Sequence, residues 1–257
     1  MSMPWAGADG ELGGQPDGAA GRDELVARLA AARARVAEAV ARAGRQTGSV
    51  RILLATKTVP ASRIVTALDA GADLIGENRV QEVLAKYDEL AGRRHQSHFI
   101  GHLQRNKVAS LVGKVDCLQT LDSADLAKRL HRRLEAVDGT LEVMVQVNVS
   151  GEATKSGVAP DRAADLVRTV GDLPRLKLRG YMTIGLNSPD RTAVRSGYAK
   201  LRALRDRLAE SGLPGTADAT ELSMGMSGDF PDAIAEGATI VRLGSAVFGR
   251  RPAPQGV

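Results

Sequence analysis

The chain has 257 residues, of which 43% are hydrophobic, 25% are charged and 3% are aromatic. That length can bury a sizeable core in one domain, although two small domains would also fit. The formal net charge of +5 raises the question of nucleic acid. However, there are few aromatic rings to stack on bases, and the arginines are interspersed with acidic residues, so we expect a mixed-charge surface and no nucleic-acid partner.

The N-terminal region shows no targeting signal. Residues 1–20 are mainly Gly, Ala, Asp and Pro without periodicity, which predicts a disordered tail without the basic and apolar regions of a signal peptide. No apolar run is long enough to span a bilayer. The single cysteine, Cys117, cannot form an intramolecular disulfide, and its apolar surroundings are typical of a core residue. We therefore expect a cytoplasmic protein without membrane contact.

One long amphipathic helix follows the tail. Leu25, Leu29, Val36 and Val40 recur at near-helical spacing, and the pattern stops at Gly44. Beyond this helix, short apolar runs alternate with helical segments. The eight apolar runs are RILLAT (51–56), ADLIG (72–76), SHFIG (97–101), VDCLQT (115–120), LEVMVQVNV (141–149), LKLRGYMT (176–183), ATELSM (219–224) and ATIVRLG (238–244).

This strict alternation of strands and helices predicts an α/β fold. The strands are continuously apolar, as expected for parallel strands that are covered on both faces. Eight βα units in about 200 residues indicate a single (β/α)8 TIM barrel with an extra N-terminal helix. We place the barrel at residues 21–251 and a short C-terminal tail at 252–257. A doubly wound open sheet is the alternative, because a count of strands does not prove closure.

The C-terminal ends of the strands are where a barrel of this kind carries its function. Ser223 and Ser227 lie at the end of the seventh strand, in SMGMSGDFPD. Gly244 and Ser245 lie at the end of the eighth, in RLGSAVFG. Hydroxyls, backbone N–H groups and a helix N-terminus could hold a phosphate there, at the recurring phosphate site of this fold. The alternative is a pair of tight turns with capping serines.

Lys57 ends the first strand, in LLATKTVP. It could be a solvated lysine at the rim of the barrel. It could pair with an acid, and Glu77 or Glu82 could reach it. It could also form a Schiff base, if an apolar wall or a neighbouring cation lowers the pKa of its amine. A phosphate site across the same mouth favours the third interpretation, because pyridoxal phosphate needs both features.

Other reactive sets are weaker. His98 and His102 are four residues apart, but Gly101 and the strand-like SHFIG argue against a helical pair of metal ligands. The segment GEATKSG (151–157) lacks the glycine that a P-loop has directly before its lysine. We predict neither a metal site nor a nucleotide site.

Taken together, the motifs resemble a known family. They are LLATKTVP, GENRVQE, HFIGHLQRNK, QVNVSGEATKSG, RGYMTIG, LSMGMSGDFPDAI and VRLGSAVFGR, in this order across residues 22–250. In order and spacing they resemble the YggS/PROSC family of pyridoxal phosphate homeostasis proteins. The resemblance implies a single barrel similar to the N-terminal domain of fold-type III alanine racemases.

The resemblance also implies a binding site for pyridoxal 5'-phosphate (PLP). Lys57 would form the internal aldimine, and Ser223 or Ser227, together with Gly244 and Ser245, would hold the phosphate. Arg242 would face the pyridine nitrogen, where a permanent cation disfavours protonation and weakens the ring as an electron sink. The implied cofactor-binding residues are Lys57, Asn78, Ser223, Ser227, Arg242, Gly244 and Ser245.

The implied function is a non-catalytic protein of PLP homeostasis that supplies PLP to apo-enzymes. A PLP-dependent amino-acid racemase is the alternative, but it needs a second base, which in the racemases resembled here is a tyrosine from a C-terminal domain. The chain ends at Val257, so we expect that domain to be missing and the protein to be a monomer. Tyr87 and Tyr198 fall within helices, and only Tyr181 lies near a strand end. A class I aldolase is a third interpretation, and it would show no cofactor absorbance.

Overall fold

The computed structural model describes residues 18–152 and 155–249. Its strands are β1 (Arg51–Ala55), β2 (Leu74–Glu77), β3 (Gln96–Phe99), β4 (Cys117–Leu121), β5 (Leu141–Gln146), β6 (Leu176–Met182), β7 (Glu221–Met226) and β8 (Ile240–Leu243). Its α-helices are α1 (Ala19–Arg42), α2 (Ala61–Asp69), α3 (Val80–Leu90), α4 (Val108–Leu111), α5 (Ala124–Glu135), α6 (Ala163–Gly171), α7 (Arg191–Glu210), α8 (Phe230–Ala235) and α9 (Ser245–Phe248).

The eight strands form one closed parallel barrel in the order β1 to β8. β1 pairs with β8, with Arg51 opposite Ile240 and Leu54 opposite Leu243, so the first and last strands of the chain complete the ring. This closure confirms the predicted (β/α)8 barrel and excludes the open sheet. Each of the eight predicted strands overlaps one observed strand.

Capping side chains mark where two of the longer helices begin. The Ser123 hydroxyl accepts a hydrogen bond from the N–H of Leu126 at the start of α5, at 3.4 Å. The Asp190 carboxylate accepts from the N–H groups of Thr192 and Ala193 at the start of α7, at 2.9 and 3.2 Å. These bonds satisfy donors that have no partner within the first helical turn. They help to turn the chain from the mouth of the barrel into the outer helical layer.

The hydrophobic core has two parts on opposite faces of the strands. The larger part lies between the barrel and its helices and includes the fully buried Ile64, Leu118 and Leu201. The smaller part fills the interior of the barrel. It consists of one cluster of Leu53, Leu74, Ile100 and Ile240 and another of Cys117, Met144 and Met182. Cys117 is therefore a buried free cysteine, as predicted.

The extra N-terminal helix, α1, covers the place where the barrel closes. It contacts α2, α8 and α9, which are the helices next to β1 and β8. Its buried face carries Leu25, Leu29, Val36 and Val40, the residues whose spacing predicted the helix. The helix begins at Ala19, so its first two residues fall inside the predicted tail. The rest of that tail up to residue 17, and the predicted tail at 252–257, lie outside the described residues.

Within residues 18–152 and 155–249, no helix is both long enough and apolar enough to cross a membrane. The same residues contain no group of three or more His, Cys, Asp or Glu side chains that could hold a metal ion.

The α1 interface can be tested with one buried and one exposed position of the same helix. Leu29 is 2% exposed, and Leu29→Ala should lower the free energy of unfolding by about 2–5 kcal/mol, because it leaves a cavity over the barrel seam. Val26 is 42% exposed, so Val26→Ala should change it by less than about 0.5 kcal/mol. Urea denaturation of both variants measures the difference, and equal small effects would show that α1 is not packed as described.

Candidate functional site

A cavity of about 480 Å³ opens at the carboxyl-terminal ends of the barrel strands. Residues after β1, β2, β3, β6, β7 and β8 line it, so it occupies the end where this fold carries its function. Its volume suits a small molecule. The lining residues are Ala55, Lys57, Thr58, Val59, Pro60, Arg63, Asn78, Ile100, Met182, Ile184, Met226, Ser227, Gly228, Arg242, Gly244, Ser245, Phe248 and Gly249.

Six of the seven residues predicted to bind the cofactor meet in this cavity. They come from the ends of four strands, β1, β2, β7 and β8. The seventh, Ser223, is fully buried and does not line the cavity. The six that do are Lys57, Asn78, Ser227, Arg242, Gly244 and Ser245.

Ser223 bonds to Arg242 inside the barrel instead of facing the cavity. Its hydroxyl accepts from Nη1 of Arg242 at 2.9 Å and donates to Oε1 of Gln119 at 2.6 Å. Gln119 is in β4 and Ser223 in β7, and these strands are not neighbours, so the second bond crosses the interior of the barrel. Nη2 of Arg242 donates to the carbonyl oxygen of Thr183 at 2.7 Å. Both terminal nitrogens of the guanidinium are therefore held in place.

Arg242 brings a fixed positive charge to the floor of the cavity. Burial lowers the pKa of Arg242 to about 10, and the nearby Tyr198 and Asp229 oppose that shift. The guanidinium therefore remains charged at neutral pH. Its two hydrogen-bond acceptors, the Ser223 hydroxyl and the Thr183 carbonyl, are both uncharged. They orient the charge without cancelling it.

His98 ends the same chain of hydrogen bonds. Its Nδ1 lies 2.8 Å from Nε2 of Gln119. Because the Gln119 oxygen accepts from Ser223, its amide nitrogen donates to His98, which places the imidazole proton on Nε2. Burial lowers the pKa of His98 to about 3, so the ring is neutral. His98 therefore supports Gln119 as an uncharged hydrogen-bond acceptor and adds no positive charge beside that of Arg242.

The loop after β7, which carries Ser227 and Gly228, is held from the outer helical layer. Asp229 accepts a hydrogen bond from the N–H of Met226 at 2.6 Å through one oxygen. Its other oxygen accepts from the Tyr198 hydroxyl of α7 at 2.7 Å. Burial, together with this bond to Asp229, raises the pKa of Tyr198. The hydroxyl therefore stays protonated and continues to donate its hydrogen bond to Asp229 in the loop.

The two acids that the sequence offered as partners for Lys57 bind another lysine. Glu77 and Glu82 lie 2.7 and 3.0 Å from the amine of Lys86 in α3. Burial raises the pKa of Glu77, with Lys86 opposing the shift. Burial also acts to raise that of Glu82, but the N–H of Thr58 and Lys86 bond its carboxylate and lower the pKa overall. The interpretation of Lys57 as an ion-pair partner of these acids is therefore wrong.

Asn78 presents a polar atom without a protein partner. Its Oδ1 is buried and accepts no hydrogen bond from the described residues. The backbone of Asn78 packs directly against Gly101, where a Cβ would overlap the carbonyl group of residue 78. Glycine at 101 therefore lets the β2 and β3 loops approach closely and fixes Asn78 at the cavity wall.

None of the three tyrosines, all of which are described, lines the cavity. Tyr181 is fully buried in the core between barrel and helices, and burial raises its pKa to about 12. Tyr198 is committed to Asp229. Tyr87 lies on α3, where the Lys114 amine sits 3.6 Å from the centre of its ring.

The sequence of the chain is similar to those of known proteins. The sequence model of the family described as "Alanine racemase, N-terminal domain" matches residues 27–252. A pyridoxal phosphate homeostasis protein of Aquifex aeolicus is 42% identical over 227 residues, which are 87% of this chain and 97% of that protein. One from Pseudomonas aeruginosa is 42% identical over 228 residues, 89% of this chain and 95% of that protein. The chain belongs to this family. The resemblance inferred from its motifs is confirmed.

Solved structures show the same relationship. A crystal structure of an unknown protein from Bifidobacterium adolescentis is 42% identical, with a TM-score of 0.88 over 92% of this chain and 99% of that one. PipY of Synechococcus elongatus, solved with PLP bound, is 31% identical, with a TM-score of 0.76 over 88% of this chain and 100% of PipY. Alanine racemase of Corynebacterium glutamicum is 15% identical with a TM-score of 0.67, covers 92% of this chain and 63% of that one, and so shares the fold alone.

Sequence reasoning missed several residues that shape the site. Gln119 stood in the apolar run VDCLQT, and a polar side chain in a buried strand was the available signal for an interior hydrogen bond. Lys86 and Tyr198 gave no such signal, because a lysine or tyrosine within an amphipathic helix is ordinary. Their contacts depend on how α3 and α7 pack on the barrel.

The separate roles of the two serines can be tested by measuring stability. Ser223→Ala removes the hydroxyl shared by Arg242 and Gln119, and should lower the free energy of unfolding by about 1–3 kcal/mol, because it leaves buried polar groups unpaired. Ser227→Ala, at the cavity wall, should change it by less than about 0.5 kcal/mol. Urea denaturation without ligand compares them, and a larger loss for Ser227→Ala would contradict the assignment.

Proposed function

We propose that the chain holds PLP reversibly in the cytoplasm as a Schiff base on Lys57, and supplies it to apo-enzymes. The observation that carries this proposal is one cavity lined by Lys57, Ser227, Arg242 and Ser245. Relatives named for PLP homeostasis, and a PipY structure with PLP bound, make PLP the ligand that fits the family.

The donors around Ser245 suit a phosphate. Ser227 and Ser245 offer hydroxyl groups, and Gly244 offers a backbone without a side chain at the cavity wall. A Cβ on Gly244 would come within 3.3 Å of the carbonyl oxygen of Ala55, which is tighter than ordinary contact. Glycine at 244 therefore lets the β8 loop lie against the end of β1. We assign the phosphate to Ser227, Gly244 and Ser245.

Lys57 has the chemistry for a reversible covalent bond. PLP supplies an aldehyde when it is bound. The unprotonated amine of Lys57 adds to the aldehyde carbon, a C=N bond replaces the C=O bond, and the oxygen leaves as water with the two amine protons. Addition of water to the C=N bond reverses the reaction and releases the ligand. Glu77 and Glu82 bind Lys86, so neither acid holds the Lys57 amine as an ammonium ion.

Arg242 favours binding of the cofactor without catalysis. We assign its guanidinium to the pyridine nitrogen, where a fixed cation opposes protonation of that nitrogen. An unprotonated ring withdraws electrons less strongly from a bound amino acid, so carbanion chemistry is weakened. The acceptors of Arg242 support this assignment, because neither the Ser223 hydroxyl nor the Thr183 carbonyl is a carboxylate that would neutralise the guanidinium.

The protein residues at the mouth also favour a non-catalytic role. A racemase of the two-base type needs acid–base groups on both faces of the substrate carbon. Lys57 could serve one face, but no tyrosine of the described chain lines the cavity. We therefore propose a carrier, and we expect it to act as a monomer. Rapid exchange of the α-proton of alanine in D2O, above the rate with free PLP, would contradict this.

The Schiff base has a direct spectroscopic test. The purified protein incubated with PLP should develop an absorbance band at about 420 nm, which is typical of a lysine Schiff base. Lys57→Ala should abolish the band. Lys128→Ala, which changes an exposed lysine on α5, is the matched control and should keep it. A wild-type protein that stays colourless with excess PLP, or a Lys57→Ala variant with an undiminished band, would refute the proposal.

Supply to other proteins can be measured with an apo-enzyme that depends on PLP. The loaded protein should reactivate it while a phosphatase destroys any free PLP, because transfer would occur before the ligand reaches bulk solution. Lys57→Ala protein incubated with the same PLP and then desalted is the control and should give no reactivation. Equal reactivation by free PLP under the same phosphatase would contradict direct supply.

A further inference from the structure

We propose that Lys86 is a positioning residue for Lys57 and acts through the backbone of residues 56–58. The inference rests on the proposed function, since it concerns the amine that would bond PLP. Lys86 belongs to α3 and does not line the cavity. Lys86 would therefore act on the ligand indirectly, and its bond to the Thr56 carbonyl points to the segment that carries Lys57 as the route.

The residue after Lys57 has an unfavourable backbone conformation. Thr58 has φ of 61°, in the left-handed region. Among the described residues only Thr58 and Asp138 combine a positive φ with a side chain other than glycine's. Asp tolerates this region, whereas a β-branched residue such as Thr is a clear outlier there. Such a conformation persists only where the surroundings impose it.

Three acidic or basic side chains impose it, and we call Glu77, Glu82 and Lys86 the Lys86 cluster. Glu82 accepts a hydrogen bond from the N–H of Thr58 at 2.7 Å. The Lys86 amine donates to the carbonyl oxygen of Thr56 at 3.0 Å. Glu77 accepts from the Thr56 hydroxyl at 2.7 Å. The residues on both sides of Lys57 are therefore bound to the cluster.

Lys86 joins the cluster into one unit. Its amine donates to Glu77 at 2.7 Å, to Glu82 at 3.0 Å and to the Thr56 carbonyl, which matches the three donors of an ammonium group. The side chains of Lys86, Glu77 and Glu82 are only 12%, 3% and 16% exposed. Because water screens such buried contacts poorly, they hold the backbone more firmly than a surface ion pair would.

The consequence for Lys57 is a fixed direction for its side chain. Without Lys86, the two carboxylates would repel each other, and Thr58 would be free to return to a negative φ. That rotation would turn the backbone at Lys57 and move its amine away from the cavity. Misplacing a reacting group slows a covalent step strongly, even when the ligand itself still binds. The phosphate ligands, on the loops after β7 and β8, do not contact the cluster.

Two ligands separate positioning from binding. The rate at which the band near 420 nm grows with PLP reports the covalent step, and the affinity for pyridoxine 5'-phosphate, which has an alcohol in place of the aldehyde, reports binding alone. Lys86→Met should slow the first by about tenfold or more and leave the second unchanged. Lys114→Met is the control, because Lys114 borders the same outer groove as Lys86 without contacting residues 56–58.

A rescue variant tests the strain itself. Glycine accepts φ near 61° without steric cost, so Thr58→Gly added to Lys86→Met should restore part of the lost rate. Glu82→Gln keeps the shape of the side chain but not its charge, and should slow the covalent step less than Lys86→Met does. It provides a second measurement if Lys86→Met is poorly folded by circular dichroism.

The outcomes distinguish this inference from the proposed function. A wild-type protein without the band refutes the proposed function and, with it, this inference. A normal band with unchanged rates in folded Lys86→Met and Glu82→Gln overturns the positioning role alone. Parallel losses of rate and of pyridoxine 5'-phosphate affinity, without rescue by Thr58→Gly, also overturn it, because they indicate general damage to the site.

Discussion

The parallel pairing of β1 with β8 is the contact on which the candidate site depends. It sets Leu53 opposite Arg242 and Leu54 opposite Leu243. The two strands then lead into Lys57 and Gly244, so residues from opposite ends of the chain enter one cavity side by side. α1 packs over the same seam from outside. The extra helix thus supports the geometry of the site without contributing a residue to it.

The guanidinium of Arg242 is buried in the barrel, at a position where an apolar side chain would cost less free energy. Removing an ion from water costs roughly several kcal/mol unless partners replace its hydration. For Arg242 those partners are a hydroxyl and a carbonyl oxygen, and the hydroxyl is itself held by Gln119 and the neutral His98. A carboxylate partner would have stabilised the charge better but would have cancelled its field in the cavity. The uncharged hydrogen-bonded side chains instead hold the guanidinium in place and leave its charge available to a ligand. Fixed polar groups act in the same way in many active sites.

The fold and the location of the site could be predicted from the sequence, whereas several individual contacts could not. Eight apolar runs alternating with helices predicted the barrel, the rule that function lies at strand ends pointed to Lys57 and Ser245, and the family resemblance added Asn78. The sequence could not separate the roles of Ser223 and Ser227, because the pairing of β7 with β8 shifts in register between Ser223 and Met226. A simple inward–outward alternation therefore fails to say which hydroxyl reaches the cavity and which turns into the barrel.

The loops that carry the proposed ligands share one principle of support. The β1 loop is bonded to the Lys86 cluster of β2 and α3, and the β7 loop to Tyr198 of α7 through Asp229. In both cases polar side chains behind the loop hold its backbone conformation through hydrogen bonds. Binding of the ligand therefore does not have to order the loop. A preordered site lowers the cost of binding. In the proposed function, release then depends mainly on one bond that water can reverse, at a mouth lined by exposed residues such as Lys57 and Met226. A rigid frame with a reversible link is what the proposed carrier of a reactive aldehyde would require.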